Sequence, residues 1–92
     1  MTNPEIDKGG NKIWRNSQGQ VHRDDGPAIE SANGNKQWYK NGLQHREDGP
    51  AYEDVNGTKS WFINDKQHRE DGPAVEFPSG IQWWFINGKR IK

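Results

Sequence analysis

The fold of this chain is decided by one repeated stretch, His45-Arg46-Glu47-Asp48-Gly49-Pro50-Ala51. The same phrase, HREDGPA, stands at 68–74, and the variant HRDDGPA stands at 22–28, so the copies begin 23 residues apart. A short fixed period indicates one supersecondary unit that is stacked on copies of itself. The chain is therefore interpreted as an array of repeats.

The residues on either side of the phrase follow the same period. One position of the unit is tryptophan, and the next is aromatic: Trp38-Tyr39, Trp61-Phe62 and Trp84-Phe85. A weakly matched first copy surrounds Trp14 and carries one extra residue before Gly19. We predict a single domain, 1–92, with a degenerate first repeat or N-terminal cap at 1–21, repeats at 22–44 and 45–67, and a final repeat or C-terminal cap at 68–92.

Each unit also contains a first turn signal, at Asn33-Gly34, Asn56-Gly57 and Ser79-Gly80. Asn-Gly favours a two-residue hairpin turn, because both turn positions need φ > 0. Counting outward from such a turn predicts these opposed pairs: Ile29 and Trp38, Tyr52 and Trp61, Val75 and Trp84. Because no helical periodicity is present, we predict an all-β fold, an elongated antiparallel meander of about four stacked β-hairpin repeats in a single-layer twisted or curved sheet.

A second turn signal follows each tryptophan strand, at Asn41-Gly42, Asn64-Asp65 and Asn87-Gly88. It suggests a third strand from Leu43 to Arg46. Three antiparallel strands per unit would reverse the chain direction between copies, so we predict two full strands and a return segment.

Counting outward from the second turn places a histidine opposite the tryptophan of the same unit. The equivalent position in the last unit is Ile91. A position that accepts isoleucine is expected to serve packing. We therefore predict structural roles, without a metal, for Trp14, Trp38, Trp61, Trp84, His22, His45, His68 and Ile91.

Composition narrows the class of function. Thirteen basic residues balance thirteen acidic ones, which disfavours non-specific nucleic-acid binding. The chain has no cysteine, which excludes a disulfide framework and a thiolate zinc site. The N-terminal residues contain no apolar stretch typical of a signal peptide, and no run is long enough to cross a membrane. We expect a cytoplasmic protein (in the host cytoplasm if phage-encoded) with no cofactor and no membrane association.

The phrase combines histidine, arginine and two acids, yet it forms no catalytic pattern. With strands about 4.8 Å apart, equivalent histidines of two-stranded repeats would lie too far apart to share a zinc ion, whose nitrogen ligands sit at about 2.0–2.1 Å. We expect the aspartate to bond turn backbone, the glycine to adopt an unusual dihedral angle and the proline to begin a strand. The arginines are expected to pair with acidic residues of neighbouring turns. No nucleophile has a partner pattern, so we predict no enzyme activity.

The spacing of the tryptophan-aromatic pair, the two turns and the phrase resembles the variant MORN repeat and related repeats of bacterial, phage and giant-virus proteins. The stretch 56–64 carries the likeness best, and the likeness extends from about residue 22 to the end. The resemblance implies successive β-hairpins in a curved single-layer sheet, in proteins that are mostly interaction scaffolds and include an antitoxin-like branch. This chain differs in having the HREDGP stretch where plainer Gly/Lys spacers are usual.

The repeat breaks in its last unit, where Trp83 replaces Gln37 and Ser60. Two interpretations are compatible: an apolar end cap, or a surface for a partner or a homodimer at the C-terminal sheet edge. The candidate partner-binding residues are one aromatic face and the arginine row: Tyr39, Phe62, Trp83, Phe85, Arg23, Arg46 and Arg69.

The sequence thus favours a non-enzymatic module that binds a protein partner, in the manner of an antitoxin-like or phage-type inhibitor. Two alternatives remain. One is a protein that sequesters nucleotides or small ligands by aromatic stacking. The other is a purely structural assembly module.

Overall fold

The computed structural model describes residues 3–92, and within them it contains short strands and turns without a helix. The strands, in chain order, are β1 (Glu5–Ile6), β2 (Lys12–Ile13), β3 (Ile29–Glu30), β4 (Lys36–Gln37), β5 (Tyr39–Lys40), β6 (Leu43–Gln44), β7 (Tyr52–Glu53), β8 (Lys59–Ser60), β9 (Phe62–Ile63), β10 (Lys66–Gln67), β11 (Val75–Glu76), β12 (Gln82–Trp83), β13 (Phe85–Ile86) and β14 (Lys89–Arg90).

Eight of these strands form one antiparallel sheet in the order β1-β2-β3-β4-β7-β8-β11-β12. The molecule measures 39 × 25 × 18 Å along its principal axes, so it is elongated. The predicted all-β antiparallel meander is confirmed. No helix among the described residues has the length and apolarity that a membrane crossing requires.

Each full repeat contains two hairpins, and the tryptophan separates them. In the repeat of Trp38, β3 and β4 pair within the large sheet, whereas β5 and β6 pair with each other outside it. The Trp38 N–H donates to the Ala51 carbonyl at 2.8 Å, and the Trp38 carbonyl accepts from the His45 N–H at 3.0 Å. The tryptophan is therefore the point at which the chain changes its pairing partner.

The return segment after the second turn is a strand, which corrects our prediction. Strand β6 is antiparallel to β5, and β7 is antiparallel to β4. Both therefore return antiparallel to the same stretch, 36–40. The additional strand therefore does not reverse the chain direction between successive repeats. Our argument against a third strand was wrong.

The first turn is longer than predicted, and this shifts the strand register by one residue. The Gly34 N–H donates to the Ser31 carbonyl at 2.9 Å, and the Ser31 N–H donates to the Asn35 carbonyl at 2.9 Å. Only Gly34, with φ 101°, has a positive φ among the loop residues 32–34. This is the pattern of a three-residue hairpin loop with a bulge. The opposed pairs are therefore Ile29 and Gln37, Tyr52 and Ser60, Val75 and Trp83, and the predicted pairing with Trp38, Trp61 and Trp84 is wrong.

Neighbouring first turns are joined by hydrogen bonds. The Asn35 side-chain oxygen accepts from the Val55 N–H of the next repeat at 3.1 Å, and the Asn11 oxygen accepts from the Ala32 N–H at 2.8 Å. In the last unit the equivalent position is Pro78, which has no N–H to donate. The bulged loop thus carries a link from one repeat to the next.

The second turn has the predicted two-residue form. Asn41 and Gly42 have φ of 51° and 83°, as a type I′ turn requires. Tyr39 lies opposite Gln44, and the His45 N–H bonds the Trp38 carbonyl, in the predicted register. The other two second turns repeat this conformation.

The core is narrow and consists largely of small side chains. Ala28, Ala51 and Ala74 are 0% exposed. The other buried residues of the described chain are Trp14, Ser60, Pro73 and Val75. With so few large side chains fully covered, we infer that the repeated polar contacts described next contribute much of the order in the fold.

Candidate functional site

The arginine of each phrase lies at the centre of its own loop. The Arg46 guanidinium carbon is 4.0 Å from the centroid of the Trp38 ring. Its Nε donates to Asp48 Oδ1 at 3.1 Å, and its Nη1 donates to the Pro50 carbonyl at 3.0 Å. The same contacts recur at Arg23 on Trp14 and at Arg69 on Trp61.

The acidic partners of these arginines belong to the same unit, which corrects the predicted ladder between neighbouring turns. Besides the loop aspartate, each arginine reaches the glutamate of the following strand, and the N–O distances are 3.4, 3.6 and 3.3 Å for Glu30, Glu53 and Glu76. The arginine side chains are only 22–25% exposed. A partner-facing role for this row stays a prediction.

The glycine of the phrase is required by the arginine rather than by its own backbone. A Cβ placed on Gly49 would lie 3.0 Å from Arg46 Cζ, and one on Gly72 would lie 2.9 Å from Arg69 Cζ. Neither glycine has a positive φ. Our prediction of an unusual dihedral angle at this position is therefore wrong, because the guanidinium packs where a methyl group would stand.

The histidine of each phrase connects two successive second turns: His45 follows the hairpin β5-β6 and binds the turn between β9 and β10. His45 Nδ1 accepts the backbone N–H of Asn64 at 3.1 Å, and its Nε2 lies 3.3 Å from Glu47 Oε2. A neutral imidazole protonated at Nε2 satisfies both contacts. The same pattern links His22 to Asn41 and His68 to Asn87.

The imidazoles thus accept a hydrogen bond from the next second turn along the chain. The packing role predicted for the histidines and for Ile91 stays a prediction. Within residues 3–92, no cluster of three or more His, Cys, Asp or Glu side chains is placed to hold a metal ion.

Two matching grooves lie between successive phrase loops. The first groove, of 590 Å³, runs between the loops of residues 23–26 and 45–48 and has Trp38 and Lys40 in its lining. The second groove, of 860 Å³, runs between the loops of residues 46–50 and 68–71 and has Trp61 and Ile63 at the equivalent positions. A third opening, of 560 Å³, lies beside Trp14.

The groove walls carry exposed carboxylates. Glu47 is 83% and Glu70 is 82% exposed at the side chain. In the first groove the hydrogen bond from His22, together with Lys40, lowers the pKa of Asp24. The walls therefore present negative charge to solvent on both sides of an aromatic residue.

The C-terminal end of the sheet has a different chemical character. The Trp83 ring lies edge-on to Phe77, with centroids 4.8 Å apart, and Arg90 Cζ is 4.7 Å from its centroid. Ile81 and Ile91 are 56% and 59% exposed. Strand β12 is the outermost strand of the sheet at this end. Residues 77–92 contain three basic side chains and no acidic one.

The predicted aromatic face is divided between different elements. Trp83 belongs to the large sheet, whereas Tyr39, Phe62 and Phe85 each begin an outer hairpin. All four are half-buried, and burial raises the pKa of Tyr39. Partner binding by these residues stays a prediction.

Sequence reasoning missed the grooves and the residues that distinguish them. The available signal was the difference between Lys40 and Ile63 at one position of otherwise similar units. The difference becomes meaningful only in the structure, where acidic phrase loops lie on both sides of each of these residues.

Comparison with known proteins returns no match: no family model fits the chain, and no curated protein or solved structure is significantly similar to it. The resemblance to variant MORN repeats accordingly stays a prediction.

Proposed function

We propose that this protein is a non-enzymatic repeat module that binds a protein partner, of the antitoxin-like or phage-type inhibitor kind. The observation that carries the proposal is an apolar cluster at the C-terminal end of the sheet, in which two half-buried aromatic side chains lie near an exposed isoleucine in the sequence. Trp83, Phe77 and Ile81 form it at the point where the repeat pattern breaks. An exposed apolar patch beside an outer strand is typical of a protein interaction surface.

The contacts of the repeated residues support this choice of surface. In every phrase the arginine, the histidine and the glycine are each engaged in contacts that hold the loop or join two second turns. Residues used in the same way in each unit suit a structural role. Specific recognition then depends on positions at which the units differ, and Trp83 is the largest such difference.

The positive charge of the C-terminal end indicates which chemical groups a partner would carry at this surface. Arg90 Cζ lies 4.7 Å from the centroid of the Trp83 ring, and Lys92 Nζ lies 4.9 Å from the centroid of the adjacent Trp84 ring. Residues 22–76, in contrast, contain eleven acidic and seven basic side chains. A partner with apolar side chains bordered by carboxylates complements the C-terminal end.

The test is affinity capture from a lysate of the native host with three forms of the protein. These are the wild type, Trp83→Gln, and the control Val55→Thr, which changes an exposed apolar residue away from the cluster. We expect the wild type and the control to retain one partner and Trp83→Gln to lose it, with all three unfolding at similar temperatures. Equal capture by all three forms would refute the proposed surface.

The two other functions predict different measurements. A nucleotide-sequestering protein would show a rise in melting temperature with nucleotides at stoichiometric binding, and an assembly module would show oligomers by native mass spectrometry. Arginine already stacks on Trp14, Trp38 and Trp61, so one face of each ring is occupied. This favours protein binding over nucleotide stacking.

A further inference from the structure

The first and second grooves are two versions of one site that differ in a single kind of residue. Advancing each lining residue of the first groove by 23 gives the corresponding residue of the second. The aromatic residue, the histidine and the arginines are retained, and the walls are acidic in both. The difference is Lys40 in the first groove and Ile63 in the second.

In the first groove, a carboxylate of the acidic wall pairs with the ammonium group of Lys40. Its Nζ lies 3.4 Å from Asp24 Oδ1, and Asp24 also contacts His22 Nε2 at 3.2 Å. In the second groove the residue equivalent to Asp24 is Glu47, which contacts His45 at 3.3 Å. Ile63 supplies no ammonium group there, and the second groove is larger than the first, at 860 against 590 Å³.

We propose that the second groove binds a lysine side chain of a partner protein, in the position that Lys40 occupies in the first groove. The carboxylate of Glu47 would receive the ammonium group, and Glu70 would add negative charge from the opposite wall. Trp61 and Ile63 would cover the aliphatic stem, because lysine buries its methylene groups along apolar surface while its ammonium stays in water.

This proposal concerns a surface separate from the C-terminal cluster, so the two can fail independently. An exposed ammonium–carboxylate pair is weak. The groove is therefore expected to add specificity for one lysine within a larger interface, and binding of that lysine should weaken as salt is added.

The probe is the peptide Ac-Gly-Lys-Gly-NH2, titrated into the ¹⁵N-labelled protein while the indole N–H signals of Trp61 and Trp38 are followed by NMR. We expect the Trp61 signal to move and the Trp38 signal to stay. The same peptide acetylated on the lysine Nζ is the matched control, and it should move neither signal, because it lacks the positive charge.

Two reciprocal variants test whether the residue at positions 40 and 63 determines which tryptophan signal the peptide shifts. Ile63→Lys places a built-in lysine in the second groove and should abolish the shift at Trp61. Lys40→Ile removes the built-in lysine from the first groove and should create a new shift at Trp38. Each variant introduces the residue that the matching unit already holds, so both are expected to fold.

Three results would overturn the proposal. They are no shift at Trp61, a shift that survives Ile63→Lys, and an equal shift with the acetylated peptide. Self-association of the protein that is lost in Ile63→Lys, without a peptide shift, would assign the groove to a second copy of this chain and would also overturn it.

Discussion

Replacing Gly49 with alanine should displace the arginine of its loop. The new Cβ would lie 3.0 Å from Arg46 Cζ, 3.2 Å from its Nε and 3.2 Å from its Nη1, so the guanidinium must move. The movement strains the contacts of Arg46 with the Trp38 ring and with its two hydrogen-bond acceptors, Asp48 and the Pro50 carbonyl.

The contacts of Arg46 limit the magnitude of this effect. Two hydrogen bonds at about 0.5–1.5 kcal/mol each and one cation–π contact at about 0.5–2 kcal/mol stabilise the loop. Alanine also raises the free energy of unfolding by about 0.4–1 kcal/mol, because it restricts the unfolded chain more than glycine does. Complete loss of these contacts would lower the free energy of unfolding by about 0.5–4.5 kcal/mol, and this range is the upper limit for Gly49→Ala.

Urea unfolding followed by tryptophan fluorescence measures this loss, and a double-mutant cycle isolates its cause. In an Arg46→Ala background, Gly49→Ala should cost almost nothing further, because the guanidinium that it displaces is absent. Gly9→Ala is the control, since Gly9 has no positive φ and a Cβ there meets its nearest atom at 3.4 Å. If the costs of Gly49→Ala and Arg46→Ala simply add, the contact between the two residues is not the reason for the glycine.

Three further changes test other parts of the structure. His45→Ile should leave the protein folded but lower its free energy of unfolding by about 1 kcal/mol, measured in urea, because the Asn64 N–H loses its acceptor; an unchanged midpoint would show that packing alone matters. Gly42→Ala should cost about 1–2 kcal/mol in the same assay, since φ is 83° there; a neutral result would refute the type I′ assignment. Burial raises the pKa of Tyr39 and Tyr52 above 10.0, so the stability that these phenols contribute is complete below that value and is lost as pH rises through the raised pKa. Absorbance titration should show this delayed ionisation, and an ordinary titration curve for both phenols would contradict their burial.

The two hairpin turns show what local sequence can and cannot predict. The second turn was predicted in its correct register, because Asn-Gly at positions 41 and 42 forms a two-residue turn by its own conformational preference. The first turn has the same dipeptide and yet forms a longer loop. The same three-residue loop recurs at 54–58 and 77–81, so Asn-Gly or Ser-Gly in these units fits either loop length and does not fix the register by itself.

The candidate sites depended on through-space information. The phrase could be recognised as a connector, but the reason for Gly49 is the path of the Arg46 side chain, which spacing alone does not reveal. Likewise Lys40 and Ile63 differ visibly in the sequence. Only the placement of acidic loops beside them makes that difference chemically meaningful.

The histidine links have a consequence for the length of the molecule. Removing residues 45–67 would leave the His22–Asn41 and His68–Asn87 links intact. The Gln44 carbonyl, which accepts from the Asp65 N–H, would meet the Gly88 N–H, which bonds the equivalent Gln67 carbonyl. The shortened chain would retain a Lys40-type groove and the Trp83 cluster, and it would lack the Ile63 groove. The second-turn junctions are thus modular, whereas the first-turn link would be lost, because Asn35 would face Pro78 in place of Val55. The two proposed binding surfaces can therefore be separated on one scaffold.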